Sequence, residues 1–457
     1  MEQEAVYKGP GYRLVAVDRL IPPSWEDGEI RVSRLALRLD AEIGALGEAV
    51  AGLLLPHVEV EGPRWAWDIL ESYRRRVAAE QAADLTMRLG RIAGETGFRP
   101  SYLPVSRMHL FWRVNGCFYR EGLDYEVLDA EWERYASLVG EPAGGGYRPS
   151  PRKYREILSY YASRIRGGLL GTLAGIARRL APGQTWPGAK CDLGDPPDPG
   201  LLASLPEGVF TYKCSPEDLA SPHAGRPVEC GKAMPTASSL VCRGPRGRVV
   251  VKEYYRMLVK WLPAAAASRP QYRYRVTPRA RMANEYQYLR LLRSVVETPR
   301  ILAVCGDQAK AAMARTFLEG EPVLDSRDPG AWKASGDALA RIHEAGYTLG
   351  DPNPGNFIVG PHGTGVVDAE QADRYTPRRA AWDLAVYTVY ALAFRAPEDL
   401  VAEGLRGYAG RRDPSLELRF LERPSFWASL TPLGPVAVRA RRLLLDTLTS
   451  TARGHGG

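Results

Sequence analysis

Amide side chains are scarce in this chain: Asn occurs four times, at Asn115, Asn284, Asn353 and Asn356, and Gln seven times. That scarcity matches avoidance of heat-labile amides, or a GC-rich genome, and marks each remaining Asn as a residue with a specific job. Lysine is rare too, at nine of 61 basic residues, the rest being Arg. The six Cys form no CxxC pair, and Cys214, His223, Cys230 and Cys242 fit no common zinc spacing. The thiols are therefore expected to be reduced and mostly buried, in a cytoplasmic protein. No stretch reaches 18 consecutive apolar residues. The nearest run, LLGTLAGIA at 169–177, is too short for a bilayer. The N-terminus lacks a basic segment followed by an apolar one, so no secretory leader is expected. No internal repeat is visible.

What remains is a globular composition: 457 residues, 45% apolar and 25% charged. That length suggests two or three domains, and the mix excludes disordered, collagen-like and disulfide-scaffold classes. The net charge of +8 suits anionic ligands such as nucleotide phosphates or RNA. Residues 1–140 are expected to form a mixed, mostly helical accessory domain. Helical periodicity covers Ser33–Leu55, Trp65–Ala93 and Asp129–Val139. The run HLFWRVNGCFYR, with Asn115-Gly116 at its centre, predicts a tight β-hairpin. The Gly/Pro-rich stretch at 141–152 predicts a linker, and 141–205 as a whole a linker with helices.

From Val209 the pattern changes to short β-type runs, and from Met282 to helices. The most informative stretch is IHEAGYTLGDPNPGNFIV. An amphipathic helix ends at Gly346, and an extended loop follows with Asp351 and, five positions later, Asn356. The run GVVDAEQA then places Asp368 at a strand end. Phosphoryl transfer requires metal-held phosphates, a group that positions the attacking hydroxyl, and neutralised charge. Asp351 suits the positioning role. Asn356 suits a neutral Mg²⁺ ligand and Asp368 a carboxylate one. Two of the four Asn lie within this one hexapeptide. Upstream, Lys252 sits on the apolar run RVVVKEYY and Glu285 on the helical run MANEYQYLRLL.

The ordered set Lys252, Glu285, a hinge between Thr316 and Glu321, Asp351, Asn356 and Asp368 resembles the protein-kinase-like superfamily. More narrowly it is similar to the atypical archaeal kinases of the RIO type and the kinase subunit of the KEOPS complex. Lipopolysaccharide-core kinases and aminoglycoside phosphotransferases carry similar loops. The resemblance covers about residues 225–400. It implies an α+β, two-lobed kinase-like fold, with a small β lobe at 206–320 and a larger helical lobe at 321–457. ATP and Mg²⁺ are the implied cofactors. Asp351 would be the catalytic base, Asn356 and Asp368 the metal ligands, and Lys252 with Glu285 the pair anchoring the phosphates. Gly231, Ser238, Ser239 and Glu319 would complete the nucleotide site, and Asp383 would brace the catalytic loop.

The departures have meaning. Leu349-Gly350 replaces the usual His-Arg before the catalytic Asp, Asp368-Ala369-Glu370 replaces DFG, and only Gly231 survives of the phosphate loop. Regulation by activation-loop phosphorylation is not expected. The main expectation is an atypical serine/threonine protein kinase. The alternatives are an RNA or small-molecule kinase on the same fold, and a nucleotide-binding scaffold without turnover. RNA enters because Arg273, Arg275 and Arg279 alternate with Tyr272 and Tyr274, a pattern that can grip single strands. His343 is expected to pack rather than react.

Overall fold

The computed structural model describes residues 4–26, 28–166, 193–221, 228–231, 239–244, 247–255, 258–307 and 310–454. Helices and strands mix throughout, and the chain divides into two units. One comprises Met1–Leu89 with Ala93–Tyr212, and the other Gly90–Ile92 with Lys213–Gly457.

The first unit opens with a sheet that helical periodicity did not reveal. Strands β1 (Ala5–Gly9), β2 (Tyr12–Val17), β3 (Ser24–Glu26), β4 (Glu29–Ser33) and β5 (Glu59–Glu61) lie in the order β3-β4-β2-β1-β5. The turn between β1 and β2 is closed by Gly11 at φ 71°. Helix α1 (Arg34–Ile43) starts where the Ser33 hydroxyl accepts from the Ala36 N–H, an N-cap. Helix α2 (Arg64–Leu89) is the spine of the unit, burying Leu70, Tyr73, Val77, Ala82 and Leu85. Strand β6 (Gly97–Phe98) and helices α3 (Tyr102–Leu110), α4 (Trp112–Glu121) and α5 (Tyr125–Val139) follow.

Helices α3 and α4 occupy the stretch where a hairpin was expected. Asn115 and Gly116 lie inside α4 because tertiary contacts override the dipeptide's turn preference. The Asn115 amide donates to the Ala49 carbonyl and the Tyr119 hydroxyl, both at 3.2 Å. A Cβ at Gly116 would come within 2.8 Å of the Leu193 side chain. The expected linker is itself partly a hairpin, β7 (Gly140–Ala143) with β8 (Gly146–Pro149). Its turn takes Gly144 and Gly145 at positive φ. Helix α6 (Pro151–Arg166) and short strands β9 (Ala203–Ser204) and β10 (Val209–Thr211) complete the unit.

The second unit carries helix α7 (Pro216–Ala220) and strands β11 (Glu229–Cys230), β12 (Ser239–Gly244), β13 (Gly247–Glu253), β14 (Ile301–Cys305) and β15 (Ala312–Thr316). The strands run β11-β12-β13-β15-β14, antiparallel, with Lys252 opposite Ser239 and Met313. Val251, Leu240, Ala303 and Ala314 fill one face. Helices α8 (Leu258–Ser268) and α9 (Pro278–Leu292) connect β13 to β14.

The thiols of this sheet are not reduced. Cys230 and Cys242, register partners across β11 and β12, form a disulfide, and Cys214 bonds Cys305. Strand register brings Cys230 and Cys242 together, which linear spacing cannot show. The zinc arrangement is thereby excluded for three of its four residues, and His223 lies outside the described residues.

After β16 (Glu321–Pro322) comes helix α10 (Pro329–Glu344), capped by Asp328 with Pro329 at its first position. Strands β17 (Tyr347–Thr348), β18 (Phe357–Gly360), β19 (Gly363–Val366) and β20 (Asp373–Arg374) follow. The remaining helices are α11 (Pro377–Ala393), α12 (Glu398–Arg411), α13 (Ser415–Leu421), α14 (Pro424–Trp427) and α15 (Pro435–Gly454). Leu339, Ile342, Leu384, Tyr387, Leu405 and Leu444 are buried here. Among the described residues no helix is long and apolar enough to cross a membrane.

Candidate phosphoryl-transfer site

Strand pairing brings the two candidate metal ligands together. Phe357 faces Val366 across β18 and β19, and the Val367 N–H donates to the Asn356 carbonyl at 3.0 Å. Asn356, just before one strand, therefore lies beside Asp368, just after the other. The loop is turned by its own amides: the Asn353 N–H donates to the Asp351 carbonyl at 2.8 Å. The Asn353 side chain accepts from the Gly355 N–H at 3.0 Å.

The start of the loop is pinned from below. Buried Asp383, on α11, accepts from the Leu349 and Gly350 N–H groups, each at 2.7 Å. His343 is also buried, linking Asp383 at 3.0 Å to the Tyr408 hydroxyl at 2.9 Å. It thus braces the loop, more than simple packing.

Around Lys252 the charges concentrate. Its Nζ lies 2.7 Å from Glu285, 3.0 Å from Asp368 and 3.2 Å from Glu370. Glu285, fully buried on α9, also pairs with Arg315 on β15 and accepts from the Tyr254 hydroxyl at 2.8 Å. Glu370 pairs with buried Arg281 at 3.2 Å. A buried charge without a partner would cost several kcal/mol; here three carboxylates meet three cations. Asp368 alone of the three acids keeps substantial exposure, at 23% of its side chain.

The titration directions follow from these contacts. Burial alone would drive the proton off Lys252, but Asp368, Glu285 and Glu370 outweigh it and raise its pKa. Glu285 is raised by burial against the pull of Lys252 and Arg315. Glu370 is raised by burial and by its neighbour Asp368. Asp368 resists burial and is lowered, by Lys252, Arg315 and the Glu370 N–H.

Five residues expected from the sequence thus lie on two adjoining structures, the Lys252–Glu285–Asp368 cluster and the Asp351–Asn356 loop. Others lie apart. Gly231 extends the β11–β12 pairing through its N–H to the Val241 carbonyl at 3.0 Å. Ser239 begins β12 opposite Lys252, and Ser238 lies outside the described residues. Glu319 is exposed and paired with Arg248, outside the cluster.

The RNA-gripping face does not form as expected. Tyr272 is buried, and the Tyr274 hydroxyl donates to the Gly350 carbonyl at 2.7 Å. Arg275 turns inward to the Ala372 carbonyl at 3.2 Å, Arg273 is exposed, and Arg279 is half-buried. The aromatic faces needed for base stacking are used internally. Sequence reasoning also passed over Glu370, Arg281, Arg315 and Tyr254. A signal existed only for Glu370, two positions after Asp368.

No family model matches the chain. Among curated proteins, a 3-deoxy-D-manno-octulosonic acid kinase of Xanthomonas euvesicatoria is 31% identical over 150 residues, covering 30% of this chain and 57% of the relative. Its counterpart in Xanthomonas oryzae is 33% identical over 131 residues, or 26% and 51%. The chain thus spans about half the length of the curated relatives it matches. Among solved structures, an aminoglycoside phosphotransferase of Alicyclobacillus acidocaldarius is similar over 53% of this chain and 97% of that one, at 12% identity and a TM-score of 0.29. A structure of WbdD covers 50% of this chain and 46% of its own, at 16% identity and a TM-score of 0.28. The kinase-like resemblance finds kinases among the relatives, and they are bacterial small-molecule enzymes rather than the RIO or KEOPS type. They give no support to a protein acceptor or an archaeal origin.

Proposed function

We propose that the chain transfers the γ-phosphoryl group of ATP, with Mg²⁺, to a hydroxyl of a small carbohydrate-type acceptor. The observation that carries the reading is the set of three carboxylates within 3.2 Å of one buried Lys, next to a loop bearing Asp351 and Asn356. Carboxylate and amide oxygens are the hard donors that Mg²⁺ prefers, and Glu285, Asp368 and Glu370 offer oxygens within 4.8 Å of one another. Asp368 and Asn356 would hold the metal, which when bound neutralises phosphate charge. Lys252, kept protonated by its carboxylates, would contact phosphate oxygens, with Glu285 fixing its direction. Asp351 would orient the acceptor hydroxyl and take its proton.

A small-molecule acceptor is favoured over a serine or threonine because the curated relatives are named for a sugar acid. Labelled ATP incubated with 3-deoxy-D-manno-octulosonic acid, other sugars, protein fractions and RNA tests this. Label should enter a carbohydrate. Label found only in protein or RNA would overturn the acceptor class, and no transfer to any acceptor would overturn the phosphotransferase reading.

A further inference from the structure

We propose that Ser268–Thr277 is a positioning strap that holds the Asp351 loop and the Asp368 segment in one fixed geometry, with Gln371 as its key positioning residue. The proposal rests on the phosphotransferase reading for its consequence, but its geometry stands independently.

The segment between α8 and α9 is irregular, yet it is tied down like a strand. The Arg275 N–H donates to the Gln371 side-chain oxygen at 2.7 Å, and the Gln371 amide donates back to the Arg275 carbonyl at 2.9 Å. One carboxamide thereby satisfies both backbone groups of a residue that has no strand partner. Gln371 is fully buried, and neither an ionised Glu nor Leu could make both bonds. The Tyr272 hydroxyl donates to the Gln371 carbonyl at 2.8 Å. From the α9 side, Asn284 donates to the Ala372 carbonyl at 2.8 Å and the Glu370 carbonyl at 3.1 Å.

The same strap reaches the catalytic loop. The Tyr274 hydroxyl donates to the Gly350 carbonyl, immediately before Asp351, and receives the Trp382 indole N–H at 3.0 Å. Gly350 sits at φ 76°, and a Cβ there would lie 2.7 Å from the Tyr272 ring and 2.8 Å from the Gln371 carbonyl oxygen. Loop, strap and the segment after Asp368 therefore touch without slack, and none of them shifts alone. Asp351 follows one anchored residue, and Asp368 precedes Gln371 by three. A displacement of about 1 Å in such a geometry lowers a rate by about 100-fold.

The test uses the full chain with Gln371→Ala, Gln371→Glu and Tyr274→Phe, read by amide exchange and by steady-state kinetics. Gln371→Ala should speed exchange at residues 272–276 and 349–351. It should also lower kcat by about 100-fold while leaving KM for ATP within about threefold. Gln371→Glu, which keeps the acceptor and loses the donor, should fall between it and the wild type. If Gln371→Ala unfolds the protein, Tyr274→Phe carries the test, with faster exchange at 349–351 and a lower kcat. Unchanged exchange at 349–351, or unchanged kcat in a variant whose strap is released, would overturn the proposal. A wild type without any phosphoryl transfer would overturn the proposed function instead, and exchange alone would then decide the strap.

Discussion

Each unit of the molecule buries a cluster of ionised side chains, and the two clusters are built differently. In the first unit Glu48 sits between Arg76 at 2.8 Å and Arg107, and accepts from the Tyr73 hydroxyl at 3.0 Å. Its backbone takes φ 63°, unusual for a non-Gly residue. Glu80 joins at 3.0 Å from Arg76 and 2.9 Å from Arg107, and Glu48 itself accepts from three donors at once. Burial raises its pKa, but Arg76 and Arg107 outweigh burial and lower it. In the second unit one Lys meets three carboxylates, with Arg281 and Arg315 balancing the charge, and two of those acids, Glu285 and Glu370, have raised pKa values. A donor-saturated carboxylate is closed to further ligands, whereas a carboxylate-rich Lys site with one partly exposed Asp can take a cation. The first arrangement fastens a fold, and the second suits chemistry.

Substitutions should separate the two. Asp351→Ala is expected to slow phosphoryl transfer by about 10²–10⁴-fold with little change in Tm. Assayed by initial rates, an effect under tenfold would remove Asp351 from the role of base. Glu48→Gln should do the opposite. Taking one of two carboxylates from Arg76 and Arg107, with Glu80 still paired to both, should cost roughly 1–3 kcal/mol in denaturant unfolding, while kcat of the folded fraction stays put. A Glu48→Gln protein of native stability would dissolve the contrast.

Reduction offers an intermediate effect. The Cys214–Cys305 bond spans 91 residues, and a loop of that size confines the unfolded chain by about 4 kcal/mol. Thermal unfolding of the wild type and Cys214→Ser, both without reductant, should show the loss, and reductant, which also opens Cys230–Cys242, should lower Tm at least as far. Equal Tm values would mean that the bond contributes nothing.

The smallest expected effect is a shift in pH dependence. Glu285 and Glu370 bind protons above the ordinary Glu value of 4.5. Acidification should therefore loosen Lys252 while Asp368, lowered below 3.8, is still charged. The acid limb of the kcat profile should lie above pH 4.5. In Glu370→Gln it should move to lower pH, because removing that charge relieves its neighbours. For stability the sign differs between groups. Asp368 contributes stability that is lost as pH falls through its lowered pKa, whereas raised Glu285 and Glu370 make the fold less stable as pH rises through theirs.

Much of the candidate site was legible because its residues carry order and spacing: Asp351 and Asn356 share one hexapeptide, and Lys252 is a rare residue on an apolar strand. The rest depends on pairings that spacing does not encode. Arg315 meets Glu285 through strand β15, and Gln371 meets Arg275 across 96 positions. The rarity of amides hinted that Asn284 had a task, without telling which carbonyls it serves. Elsewhere local preference misled. Asn115-Gly116 reads as a turn, yet burial of the Asn115 amide against Ala49 holds it in a helix. The sheet at residues 5–61 went unseen because its strands are short and its pairing includes a parallel step, β2 with β4.

The most direct test of the carboxylate-ringed Lys as a metal–nucleotide site is calorimetric titration of ATP into the full chain, with and without Mg²⁺, for the wild type and Asp368→Asn. Tight binding that needs Mg²⁺ in the wild type and loses that dependence in Asp368→Asn is the predicted result. Identical Mg²⁺-dependent Kd values for the two proteins would contradict it.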